Sequence, residues 1–182
     1  MSVTPIADLV NAAAAGDSRA WEAIVDRYSG LVWATARAHR LTQADAADVA
    51  QTTWLRLVEH LDRIRDPEAL GAWLATTARR EALRAIRRGT REQPSDEVDL
   101  FEGPTHDPVD RQLLRDERDR ALWLAFSSLS DRCKELLRLL IADPEPSYRE
   151  ISAALDMPVG TIGPTRIRCL ERLRRSTGQT QF

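Results

Sequence analysis

Apolar residues return every three or four positions along most of the chain, and no stretch alternates with the period of two that a half-buried strand needs. Ile6, Leu9, Val10 and Ala13 open the pattern, and Gly16 interrupts it. Asp17 or Ser18 then stands where a helix cap belongs, ahead of a stripe of Trp21, Ile24, Val25, Tyr28, Leu31, Val32 and Thr35. Thr42 with Asp45 three residues on resembles a capping box. It predicts a third helix with Val49, Ala50, Trp54, Leu57, Val58 and Leu61 turned inward. Asp66-Pro67 predicts the next start, because Pro suits the first helical position, where its missing N–H has no partner to lose. That fourth helix should run to about Arg88 and stop at Gly89.

From Glu92 to Asp110 the period is lost. Pro94, Gly103, Pro104 and Pro108 interrupt the segment, which reads as a flexible linker with Leu100-Phe101 as a docking point. The other reading is an acidic element lying in a nucleic-acid channel. Helical spacing resumes from about Val109 to Thr177. Leu113, Leu114, Leu122, Leu124 and Leu129 lead to Ser130, a candidate cap for a helix over residues 131–142. After the loop Asp143-Pro-Glu-Pro, Ser147 and Glu150 have capping-box spacing for a short helix ending near Leu155. Residues 156–160 should turn, and Thr161 should begin a last helix to about Arg175, giving a helix-turn-helix. The expected fold is all-α: two helical domains joined by a flexible acidic linker.

Charge sharpens this division. The net charge of −2 carries no global signal, but the charges are segregated along the 182 residues. Residues 79–91 hold six Arg against Glu81, and residues 166–175 hold five Arg against Glu171. Residues 92–110 hold seven acids and no Lys or Arg. Such segregation lets an acidic protein bind nucleic acid. Cys133 and Cys169 share no short spacing with each other or with His39, His60 or His106, so no metal site is expected and they read as small helix-packed thiols. Neither a signal peptide nor an apolar run of about 18 residues is found, so a cytoplasmic protein without membrane insertion is expected. No nucleophile elbow, Gly-rich phosphate loop or HExxH stands in the sequence, so no catalytic residues and no cofactor are expected.

Three faces carry candidate chemistry. On the fourth helix, at about 100° per residue, Arg80, Arg84, Arg87, Arg88 and Arg91 share one sector, continued by Trp73, Thr76 and Thr77. Cations for phosphates, hydroxyls for base edges and an aromatic for stacking favour nucleic acid over a solvated stripe with Trp73 in the core. On the last helix, Thr161, Gly163, Pro164 and Thr165 would enter the major groove, with Arg166 and Arg168 near bases or phosphates. Pro164 is expected in the first turn, where its missing donor costs nothing. The third helix has a polar stripe of Asp45, Asp48, Gln51 and Glu59, with Arg56 nearby, which spacing alone reads as a wet face.

Four segments, in order, resemble the extracytoplasmic-function (ECF) sigma factors, a family of bacterial RNA polymerase subunits. They are Gly16-Asp-Ser-Arg-Ala-Trp-Glu-Ala-Ile-Val-Asp-Arg-Tyr28, Asp45-Ala-Ala-Asp-Val-Ala-Gln-Thr-Thr-Trp-Leu-Arg-Leu57, Leu70-Gly-Ala-Trp-Leu-Ala-Thr-Thr-Ala-Arg-Arg80 and Glu150-Ile-Ser-Ala-Ala-Leu-Asp-Met-Pro-Val-Gly-Thr-Ile162. The resemblance implies region two over residues 1–90, a linker over 91–112 and region four over 113–182. It makes the third-helix face, Asp45, Asp48, Gln51 and Arg56, a dock for the clamp helices of the polymerase β′ subunit. Arg63, Arg65 and Asp66 would line a pocket for a flipped base of the melted minus-ten element, beside Trp73, Thr77 and Arg80. Region four, through Tyr148, Arg149 and the last helix as far as Arg172, would read the minus-thirty-five element and bind the β flap. The partners implied are core RNA polymerase, promoter DNA and an anti-sigma factor. A helix-turn-helix regulator that never joins polymerase is the alternative. Two positions depart from the family: Arg80 stands where many members carry Asn, and Gly163-Pro164-Thr165 replaces a basic, hydroxyl-bearing run, which implies readout partly by DNA shape.

Overall fold

The computed structural model describes residues 4–39, 41–89 and 120–178. Helices α1 (Ile6–Ala14), α2 (Ser18–Ala38), α3 (Gln43–His60) and α4 (Leu70–Gly89) form a first group, with short 3-10 turns at Leu61–Arg63 and Pro67–Ala69. A second group holds a helical stretch at residues 120–127, then α5 (Asp131–Leu140), α6 (Tyr148–Leu155) and α7 (Val159–Gly178). Among the described residues there is no strand. The linker expected at residues 92–110, with Arg91, Leu113 and Leu114, lies outside them.

Local chemistry explains the boundaries. The Asp17 carboxylate accepts from the Arg19 and Ala20 N–H groups and starts α2, after Gly16 has turned the chain at φ 93°. Thr42 accepts from the Asp45 N–H, and the Ser147–Glu150 capping box closes in both directions. Other starts depart from expectation. Asp66 makes no side-chain cap; a 3-10 turn over Pro67–Ala69 intervenes, and α4 begins at Leu70. Ser130 precedes α5 without a side-chain bond to it, and that helix stops at Leu140. The last helix begins at Val159, two residues early, because Asp156 alone takes the left-handed conformation (φ 54°, ψ 54°) and completes the reversal. Pro164 therefore falls in the second turn of α7, where the N–H it lacks would have bonded the Gly160 carbonyl.

One apolar core runs through both groups. Ile24, Val32, Leu57, Leu70 and Leu74 of the first group pack in the same cluster as Leu136, Leu139, Ile151 and Ile162 of the second. Helix α6 lies on α4, and α5 lies on α2. The backbones approach closely there. A Cβ on Gly30 would collide with the Asp143 carbonyl, and one on Gly71 would meet the Glu150 carboxylate and stand 2.9 Å from the Tyr28 ring. Polar links cross the same seam: Arg79 to Asp156 at 2.8 Å, and Arg138 to the Arg37 carbonyl at 3.4 Å.

One position expected to turn inward and two apolar positions of the helical spacing before α5 are exposed. Val58 is 58% exposed on α3, and Leu122 and Leu124 lie open before α5. The two cysteines also differ from the free thiols expected. Cys133 and Cys169 are joined in a disulfide, their Cα atoms 5.4 Å apart, inside a smaller cluster with Leu129 and Leu137. A separation of 36 residues gave the sequence no means of pairing them.

Candidate nucleic-acid and polymerase interface

Helix α4 displays the basic face. Arg80, Arg84, Arg87 and Arg88 are exposed along it, and Thr76 and Thr77 are half-buried near its start. Trp73 packs its ring against the core edge, 6.1 Å from the ring of His60 and tilted 42° to it. His60, whose Nδ1 lies 2.9 Å from the Arg56 carbonyl, is thus a member of this site that periodicity did not single out. The Thr76 hydroxyl donates to the Ala72 carbonyl at 2.8 Å, leaving its oxygen lone pairs for an incoming donor. Arg63, Arg65 and Asp66 are exposed on the chain between α3 and α4, next to this face in sequence.

The arginines are not equivalent. Glu81, buried to 8% exposure, accepts from Arg84 at 2.6 Å, so one cation of the face is already matched by an acid from its own helix. Arg79 points to the seam, while its neighbour Arg80 has no ion pair among the described residues and stays with the face. One helical step of about 100° separates the two roles.

Helix α3 presents a different surface. Asp48 and Gln51 are exposed, and Leu55 and Val58 share their side of the helix at 57% and 58% exposure. At about 100° per residue the four fall within a sector of roughly 80°. An apolar pair bordered by an acid and an amide is a mixed surface, less polar than the stripe the sequence reading described. The sequence reading missed Leu55 and turned Val58 inward; their spacing of three on the polar side was the available signal. Asp45 is partly committed, taking a 2.8 Å bond from the Thr42 hydroxyl, and Arg56 pairs with Glu59 at 3.1 Å.

Helix α7 carries the second basic surface. Thr161, Thr165, Arg168 and Arg172 fall within about 60° of one another, and Arg166 emerges about 120° round from them. Arg168 lies along its own helix, with Nε 3.4 Å from the Pro164 carbonyl and a terminal nitrogen 3.3 Å from the Thr165 hydroxyl. Tyr148 and Arg149 are exposed at the start of α6, and a Cβ on Gly163 would stand 4.0 Å from the Tyr148 ring. That is an ordinary contact distance, so Tyr148 of α6 stands beside the start of α7 without requiring a glycine there.

Titration at the seam is shaped by burial. Burial lowers the pKa of His39, with Arg79 and Arg132 adding to the effect and a backbone bond to Ala154 opposing it. Its Nε2 is buried without a hydrogen-bond partner. Burial also raises the Tyr28 phenol, against the pull of Arg27 and helped by Glu150 and Glu68. Among the described residues no group of His, Cys, Asp or Glu could hold a metal ion, and no helix is long and apolar enough to cross a membrane.

Comparison with known proteins agrees with this arrangement. Residues 24–92 match the family model of sigma-70 region 2. Over 174 residues the chain is 26% identical to the ECF RNA polymerase sigma-E factors of Escherichia coli K12 and Salmonella typhimurium LT2, covering 91% of this chain and 90% of theirs. The solved structure of CnrH in complex with the cytosolic domain of CnrY matches in fold at TM-score 0.57 and 21% identity, over 95% of this chain and 97% of that one. The sigma factor RpoE of Bartonella quintana, in complex with the anti-sigma factor NepR, matches at TM-score 0.56 and 23% identity, over 89% and 98%. Residues 24–92 thus carry a sigma-70 region 2 domain, and with the four motifs in order on helices α2, α3, α4 and α6–α7 the chain is similar over most of its length to the ECF sigma factors.

Proposed function

We propose that the chain binds core RNA polymerase and directs promoter recognition and DNA melting, with the α3 face docking on the β′ clamp helices. The observation that carries this is the pairing of two unlike exposed faces on adjacent helices: Asp48, Gln51, Leu55 and Val58 on α3, and Trp73 with the arginines on α4. A regulator that only grips duplex DNA through α6–α7 has no use for either. Residues 1–90 would serve as region two, 91–112 as linker and 113–182 as region four. The face of α4, with Arg63, Arg65 and Asp66, would hold the melted minus-ten strand by phosphate contact and stacking. The stripe on α7, with Tyr148 and Arg149, would contact the minus-thirty-five duplex and the β flap. The work is binding and strand opening in the cytoplasm, without covalent chemistry.

Geometry adds a step. Elements centred about 25 base pairs apart are separated by roughly 85 Å at 3.4 Å per base pair. A compact chain of this length has a radius of gyration of about 16 Å. The closed arrangement cannot reach both elements, so the α4–α6 seam must part on promoter binding. An anti-sigma factor, the partner of RpoE in its solved complex, is the candidate that would hold the closed form. Transcription in vitro with purified core polymerase tests the reading. Promoter-specific initiation on addition of the chain is expected, and duplex binding without initiation would favour the regulator instead.

A further inference from the structure

We propose that Cys133 and Cys169 form a reversible thiol–disulfide pair, oxidised by hydroperoxide, that sets how firmly the recognition helix α7 is held to the rest of the protein. The inference rests on the reading of α7 as the minus-thirty-five helix. The bond joins α5 to α7, and these two helices have different attachments. Helix α5 is the anchored one: Leu136 and Leu139 enter the shared core, Arg138 reaches the Arg37 carbonyl, and Arg132 donates to the Leu155 carbonyl at 2.7 Å. Helix α7 carries the DNA stripe and is weak near its start, where Gly160, Gly163 and Pro164 lie within two turns and one backbone hydrogen bond is lost. Beyond the disulfide, Ile162 and the side chains of Leu170 and Leu173 pack α7 on the second group.

Both states fit the site. The sulfurs lie in an apolar cluster with Leu129 and Leu137, where reduced thiols pack as small apolar groups without rearrangement. A protein that works on DNA and polymerase meets a reducing compartment, in which a disulfide is a signal more often than a structural staple. The two thiols are asymmetric. Cys169 is fully buried, whereas Cys133 is 5% exposed and sits in the first turn of α5, so an oxidant reaches Cys133 first. A crevice lined by Ser128, Leu129 and Ser130, just before α5, and by Arg172, Arg175 and Ser176 of α7 opens nearby, and Leu129 also belongs to the cluster that holds the sulfurs. The Cys133 thiolate attacks one peroxide oxygen and the O–O bond breaks; a sulfenic acid forms, and the departing hydroxide takes up the proton that the thiol released, giving water. The Cys169 sulfur then attacks the sulfenic sulfur, its proton leaving with the hydroxide as a second water. Overall, two thiols and hydrogen peroxide give a disulfide and two waters.

The full-length chain, reduced and then treated with stoichiometric hydrogen peroxide, supplies the test. Alkylation in denaturant followed by mass measurement should show both thiols lost together with a decrease of two hydrogens and no added oxygen. The oxidised chain should bind a duplex bearing its minus-thirty-five element roughly three- to ten-fold more tightly than the reduced chain, because the tied helix is already oriented. Cys133→Ala and Cys169→Val, which keep the site apolar, should bind like the reduced chain with or without peroxide. Persistent thiols, oxygen addition at one cysteine, or equal binding in the two states would overturn the proposal. Absence of initiation with core polymerase in both states, with the thiol reaction intact, would instead refute the function on which it rests.

Discussion

Gly30→Ala is the sharpest probe of the closed arrangement. Within α2, exchanging glycine for alanine should by itself stabilise the helix by up to about 1 kcal/mol. At this position the added Cβ would collide with the Asp143 carbonyl and stand 3.0 Å from its carbon, and these are backbone atoms that no rotamer change can remove. Restoring an ordinary carbon–oxygen separation of about 3.3 Å requires the loop before α6 to retreat by roughly 1 Å. A gap of that size forfeits a quarter to a half of the dispersion energy across the contact. Overpacking of this kind costs about 1–3 kcal/mol, and about 2 kcal/mol would shift a closed-to-open ratio roughly thirty-fold. The variant should therefore keep its helical content while its radius of gyration in solution X-ray scattering rises above about 16 Å. Amide protection across residues 148–155 should fall, and affinity for core polymerase should rise. A variant that is simply more stable, with unchanged scattering and unchanged protection on α6, would refute the seam.

Four further outcomes are expected. Because burial holds the His39 pKa below its ordinary 6.5, the opened chain takes up the proton first; closed-form stability is full above about pH 6.5 and declines as pH falls through it, and His39→Gln should flatten that slope in melting measurements. Arg80→Ala should weaken promoter opening in permanganate footprinting more than Arg84→Ala, whose cation is already matched by Glu81; equal losses would contradict the ranking. Asp48→Arg with Gln51→Ala should lower holoenzyme yield on native gels while shifting the melting temperature little, since exposed substitutions usually stay within about 0.5 kcal/mol. Arg172→Ala should weaken binding to all duplexes evenly and reduce the salt slope by about one, and Arg166→Ala, if that side chain reads a base, should cost about 1–3 kcal/mol at a single position, visible in a randomised minus-thirty-five library.

What was legible in the sequence is what local chemistry decides. Asp17, Thr42 and the Ser147–Glu150 pair cap their helices through bonds spanning two or three residues, and three-residue spacing is visible in a string of letters. The buried stripe of α2 was legible for the same reason. The misses share another cause. Glu81 stands three residues from Arg84, but its burial depends on helices elsewhere in the fold, so the sequence counted it as a minor exception on a basic face. The sequence reading turned Val58 inward with Leu57, yet one residue is a step of about 100°, and Val58 emerges beside Leu55 on the polar side. The union of Cys133 and Cys169 depends on how α5 crosses α7, and that crossing is written in packing alone. Asp156, read as part of a five-residue turn, completes the reversal through one left-handed residue, a conformation that aspartate tolerates but does not announce.

That same Asp156 also ties shape to charge. Its carboxylate holds Arg79, one residue from Arg80 of the basic face, and only while α6 lies on α4. When the seam parts, the Arg79 guanidinium loses its acid and gains rotational freedom at the border of the basic face. The open chain then offers DNA one more uncompensated cation than the closed chain does. Each phosphate neutralised adds about 0.9 to the slope of log affinity against log salt. Conformational opening and counterion release thus become a single event, and ionic strength acts on both: dilute salt draws DNA toward the open form, and concentrated salt leaves the chain folded upon itself.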